Sequence, residues 1–157
     1  MSETAELAAK LKSEGEKSSA FYGGLTKDQW NLQVYADGAV WSIRSILAHL
    51  MTAERSFVTL FEEIRRGSAG VPEDFAIDRY NARQQEKTRE LNPGELLERY
   101  RSIREQMVAW VSSLQDAELE ITGRHPFLGV TTLREMIKLI YIHNQTHYRD
   151  IQRALRD

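Results

Sequence analysis

Apolar residues along this chain recur at spacings of three and four rather than two. From Ser42 to the residue before Gly67 the run is Ile43, Ile46, Leu47, Leu50, Ala53, Phe57, Leu60, Phe61 and Ile64, while Arg44, Arg55, Glu62 and Arg66 lie on the opposite face. This is the stripe of an amphipathic helix packed on a core. Three more segments read the same way. The first covers Thr4 to Tyr22 and stops at Gly23-Gly24, after which Thr26 and Gln29 have capping-box spacing for a short helical turn. Asn92-Pro93 supplies an N-cap and a first helical residue. The helix that follows runs through Leu96, Leu97, Tyr100, Ile103, Met107, Trp110 and Val111 to about Leu114. Thr132 and Glu135 repeat the capping-box spacing and open the last helix, with Leu133, Met136, Ile137, Ile140, Ile151 and Leu155 as its stripe.

Four amphipathic helices in 157 residues predict an all-α protein, a four-helix bundle in one domain over residues 1–157. The segment from Gly67 to Asn92 is a long connection holding Pro72 and a partly helical polar stretch, "NARQQEKTRE". Asp116 to Thr131, with Gly123, Pro126 and Gly129, reads as loop.

Composition narrows the function. The formal net charge is -2, and basic residues are interspersed with acids, as in "FEEIRRG". No basic stripe is present, so no nucleic-acid partner is expected. No apolar run approaches the ~20 residues that span a bilayer, and "MSETAELAAKLKSEGEK" lacks the apolar core of a signal peptide. The expectation is a cytoplasmic protein with no membrane partner. There is no cysteine, which removes thiolate metal sites and cysteine nucleophiles. No glycine-rich phosphate loop and no GxSxG occurs. Trp30, Trp41 and Trp110 read as core or bundle-end anchors.

Candidate chemistry therefore falls to the four histidines. In "YIHNQTHYRD", His143 and His147 stand four apart, about 6 Å along a helix and about 40° around it, so both project from one side. They lie on a shoulder of the last stripe. His49 lies on a matching shoulder of the second helix. The levels agree only if the second and last helices are antiparallel, which a simple up-down-up-down bundle does not give. The Gly67–Asn92 connection is long enough to cross the bundle and make the order up-down-down-up. Three neutral imidazoles suit Zn²⁺ or Ni²⁺ and leave a coordination position open, as catalytic sites do. Asp150, three residues after His147, is placed to accept from an imidazole N–H, and Asn144, near the centre of the apolar stripe, needs a polar partner. His125, before Pro126, reads as a loop histidine packed near the bundle end.

The segments "WSIRSILAHLMTAERSF", "HPFLGVTTLREMIKLI" and "HNQTHYRDIQRAL", in this order, resemble the DinB-like (DinB/YfiT) family of metal-dependent four-helix bundles, over about Leu7 to Leu155. The resemblance implies an up-down-down-up bundle and a metal triad at His49, His143 and His147. It also implies nickel or zinc as the ion, and a homodimer. Activities of related members imply a thiol-dependent S-transferase of the detoxification type, acting on a small-molecule substrate through a metal-activated thiolate from a low-molecular-weight thiol. A hydrolase using metal-bound hydroxide and a non-enzymatic metal-binding or stress-response bundle are the alternatives. Family members often carry Gln where this chain has Asp150.

Overall fold

The computed structural model describes residues 1–157. Four long helices make the bundle: α1 (Glu3–Gly23), α3 (Ile43–Arg65), α5 (Pro93–Ser112) and α6 (Leu133–Arg156). Each begins where a side chain takes up a free backbone N–H. Ser2, Ser42, Asn92 and Thr132 accept from Ala5, Ser45, Glu95 and Glu135 respectively. The short helix α2 (Lys27–Trp30) carries the full capping box, with Thr26 and Gln29 bonding reciprocally. Thr132 and Glu135 form the forward half of theirs.

Two packed clusters fix the helix directions. One joins Leu7 and Leu11 of α1, Phe61 and Ile64 of α3, Met107 and Val111 of α5, and Leu133, Met136, Ile137 and Ile140 of α6. The other joins Tyr22, the Ile43–Leu50 turns of α3, Leu96 to Ile103 of α5, and Ile151. The start of α1 thus meets the ends of α3 and α5 and the start of α6. The order is up-down-down-up, with α3 and α5 parallel. Each fully buried Leu or Ile contributes roughly 1.5–3 kcal/mol, so both ends of the bundle are held by burial. A buried ion pair ties the parallel helices at mid-height. Arg104 donates to both Glu54 oxygens at 2.7 Å and to the Leu11 carbonyl at 3.0 Å. Its side chain passes over Gly15, where a Cβ would stand 2.7 Å from Arg104 Cγ.

The connections hold structure beyond the sequence expectations. Residues 66–92 contain α4 (Ile77–Lys87), which spans most of the predicted polar stretch. Ahead of α3, β1 (Gln33–Tyr35) pairs antiparallel with β2 (Trp41–Ser42). The segment expected as loop before α6 is instead a 3-10 turn, Asp116–Glu120, and a hairpin of β3 (Thr122–His125) and β4 (Gly129–Thr132). Alternation of polar and small residues over four positions was too brief to signal these strands. Gly70 bridges to Arg124, with Val71 N–H on the Arg124 carbonyl at 3.0 Å and Arg124 N–H on the Ala69 carbonyl at 2.7 Å. The crossover is thereby laced to the β3–β4 hairpin, and the two form a wall beside α3. No helix is long and apolar enough to cross a membrane.

Candidate metal centre

His49 sits on the second turn of α3, and His143 and His147 face it from α6. His143 Nε2 is 3.0 Å from His49 Nε2 and 3.0 Å from His147 Nε2. One nitrogen from each ring falls within 4.8 Å of the other two. An imidazole nitrogen offers a single in-plane lone pair or a single proton, so hydrogen bonds from His143 Nε2 to both neighbouring rings would have to share one. A cation at the shared point takes three lone pairs at once. Nitrogens bound 2.0–2.1 Å from one ion stand about 2.9–3.4 Å apart; two of the three separations here are 3.0 Å, and the third lies within 4.8 Å. The donor set fits one divalent ion.

Burial keeps these rings neutral, the form that ligates metals. It pushes His49 and His143 down to about 3, aided by neighbouring histidines. His147 is also lowered by burial, against a smaller opposing pull from Asp150.

The orientation of His147 comes from a residue with no sequence signal. Tyr35 Oη lies 2.8 Å from His147 Nδ1 and donates to Asp150 Oδ2 at 2.5 Å. A phenol has one proton, and it points at Asp150, so His147 Nδ1–H donates to Tyr35. Nε2 of His147 is left with its lone pair toward the cluster. Burial, then the bond to Asp150 and its charge, raise the Tyr35 phenol and keep it protonated. Asp150 thus reaches the imidazole through Tyr35 rather than by the direct bond its position had suggested. Tyr35 stands on a three-residue strand, too short for any periodicity, and only the fold brings it to residue 147.

Asn144 serves the core instead. Its Oδ1 accepts from Tyr100 Oη at 2.6 Å, and its Nδ2 donates to the Ile140 carbonyl at 2.8 Å; neither bond goes to a histidine. Trp41, expected as a core or end anchor, lies against His49 at 4.8 Å between ring centroids and faces a cavity. Trp30 is buried in the core as expected. His125 ends strand β3 rather than lying in a loop, buried against Phe57 near the bundle end. It joins the cavity lining and not the triad.

The cavity has a volume of about 760 Å³ and is bounded by α3, the crossover and the β3–β4 hairpin. His49 and His143 line it; His147 and Tyr35 do not. The triad therefore faces the cavity on its His49–His143 side, while the Tyr35–Asp150 pair braces His147 away from it.

A helical bundle of this topology with three converging imidazoles defines a class. The chain belongs to the DinB superfamily, whose family model matches residues 10–151. Among solved structures it is similar to YfiT from Bacillus subtilis, described as "a probable metal-dependent hydrolase with an unusual four-helix bundle topology". That match has 19% identity and a TM-score of 0.69, covering 98% of this chain and 82% of that one. It is also similar to an uncharacterised protein from Escherichia coli UTI89, with 15% identity and a TM-score of 0.73, covering 98% and 92%. No curated protein matches the sequence.

Proposed function

We propose that this protein is a metal-dependent enzyme acting on a small molecule, with His49, His143 and His147 as the ligands of one divalent ion. The observation that carries this is the convergence of three neutral Nε2 atoms beside a cavity large enough for a substrate. A bound nickel or zinc ion supplies Lewis acidity and lowers the pKa of a water or thiol that reaches it. The chain's own groups bind and orient. Tyr35 and Asp150 hold the His147 ring, Trp41 packs on His49, and the cavity wall excludes water from one side of the site.

The nucleophile comes from outside the chain. No cysteine exists; of the three hydroxyls in the cavity lining, Ser56 and Tyr80 are bonded to each other and Thr59 is exposed. Thiol-dependent S-transfer, with a low-molecular-weight thiol as co-substrate, is the form that the family resemblance supports. Hydrolysis is a second reading, favoured by the description of YfiT. Homodimerisation and a cytoplasmic location belong to the same proposal.

The first test is metal per chain by inductively coupled plasma mass spectrometry, on untagged protein and on His143→Ala. Near one equivalent is expected in the wild type and none in the variant. No metal in either, after incubation with Ni²⁺ or Zn²⁺, overturns the proposal. Turnover of aromatic esters and electrophiles with and without added thiol then separates transfer from hydrolysis.

A further inference from the structure

The cavity volume, about 760 Å³, lies in the range of small-molecule sites. Charge within its lining is confined to the rim: Arg55, Glu63 and Asp78 are all exposed. The half-buried wall is apolar and largely aromatic, with Trp41, Phe57, Phe75 and Leu139.

One buried polar atom on this wall is unspent. His125 is 2 % exposed. Its Nδ1 accepts the backbone N–H of Phe127 at 3.0 Å and of Leu128 at 3.2 Å. A neutral imidazole that accepts at Nδ1 carries its proton on Nε2, and burial holds the ring neutral, down to about 4. Nε2 is buried and has no hydrogen-bond partner. The half-buried Phe57 ring packs 4.8 Å from the imidazole, and both side chains line the cavity. Buried donors in folded proteins nearly always find an acceptor. The chain provides none here.

We propose that the cavity takes an uncharged, largely aromatic small molecule bearing a carbonyl-type oxygen. A shift of the Phe57 ring opens His125 Nε2–H to that oxygen, and this bond fixes which end of the molecule faces His49 and His143. An ionised group on the wall would lose its hydration for a single neutral N–H. A purely apolar molecule would leave the donor unpaired. The inference names the ligand class for the metal-dependent function proposed above and rests on it for the chemistry after binding; binding itself needs only the cavity and His125.

The test is fluorescence titration of metal-free protein with prodan, an uncharged naphthalene ketone. Two comparison probes are its analogue with propyl in place of propionyl and anilinonaphthalene sulfonate. Saturable binding of prodan is expected, about fivefold tighter than the propyl analogue and at least roughly tenfold tighter than the sulfonate. His125→Phe keeps the ring shape without the donor and should erase the preference for the ketone over the propyl analogue. His125→Gln returns an N–H near the Nε2 position and should restore it, with thermal melts showing both variants folded. The inference is overturned if wild-type protein does not bind prodan, shows no preference for the ketone, or binds the sulfonate equally well. It is also overturned if a folded His125→Phe keeps the preference. Metal content separates the two proposals: a chain without metal that prefers the ketone loses the enzymatic function alone, and one with metal but no preference loses this inference alone.

Discussion

Tyr35 Oη stands 2.8 Å from His147 Nδ1, across 112 residues of sequence, and donates its hydrogen bond to Asp150. A strand ahead of the second bundle helix thus sets the tautomer of a histidine on the last one. Partners of this kind typically change metal affinity by 10- to 100-fold. Tyr35→Phe is therefore expected to weaken zinc binding roughly 10- to 100-fold while the metal-free protein keeps its helical signal. Chelator competition measures it. Unchanged affinity would show that His147 holds its orientation without the phenol.

Metal should stabilise the folded chain, because the three nitrogens converge only there. An ion at a hundredfold excess over its Kd adds about 2.7 kcal/mol, which raises the thermal midpoint by several degrees. Calorimetry with and without Zn²⁺ is expected to show the rise in wild-type protein and none in His143→Ala.

Acid should destabilise the metal-free protein before its carboxylates titrate. His49 and His143 are pushed down to about 3 and His125 to about 4, chiefly by burial. Their unfolded values lie near 6.5. The unfolded chain therefore takes up protons first, and the histidine contribution is complete above about pH 6.5 and is lost as pH falls toward the folded values. Each such histidine costs up to ~1.4 kcal/mol per pH unit in that window. Urea midpoints between pH 7.5 and 5 should fall, and replacing His125 by Phe should flatten the slope.

Two ion pairs provide a contrast in stability. Glu54 and Arg104 are both nearly inaccessible, with side-chain exposures of 3% and 5%. Glu54→Gln leaves the guanidinium without its carboxylate and is expected to cost about 3–5 kcal/mol. Glu62 and Arg65 are near 30% exposed, and Glu62→Gln should cost under about 1 kcal/mol. Urea unfolding of both variants checks this, and similar losses would contradict the assignment of Glu54 to the core.

Much of this protein was legible from spacing. The bundle helices follow from apolar residues at three and four, and their starts from Ser42, Asn92-Pro93 and Thr132, because helix period and capping are local properties. His143 and His147 share a face for the same reason. The match in level with His49 followed from the crossover, since helix length and connection length constrain direction. What depended on the tertiary structure was which side chains meet across elements. Tyr35 carries no local signal, yet packing of its strand against α6 makes it the partner of His147 and Asp150. Asn144 was set on the right stripe, but its bonds to Tyr100 and Ile140 came from helix contacts that periodicity does not specify. The cavity, with Trp41 and His125 on its wall, is assembled from α3, α6, the crossover and the hairpin, the last two joined at Gly70 and Arg124. Local sequence encodes helices and faces through short-range sterics and capping; the site's braces and walls arise from long-range packing, which no window of sequence contains.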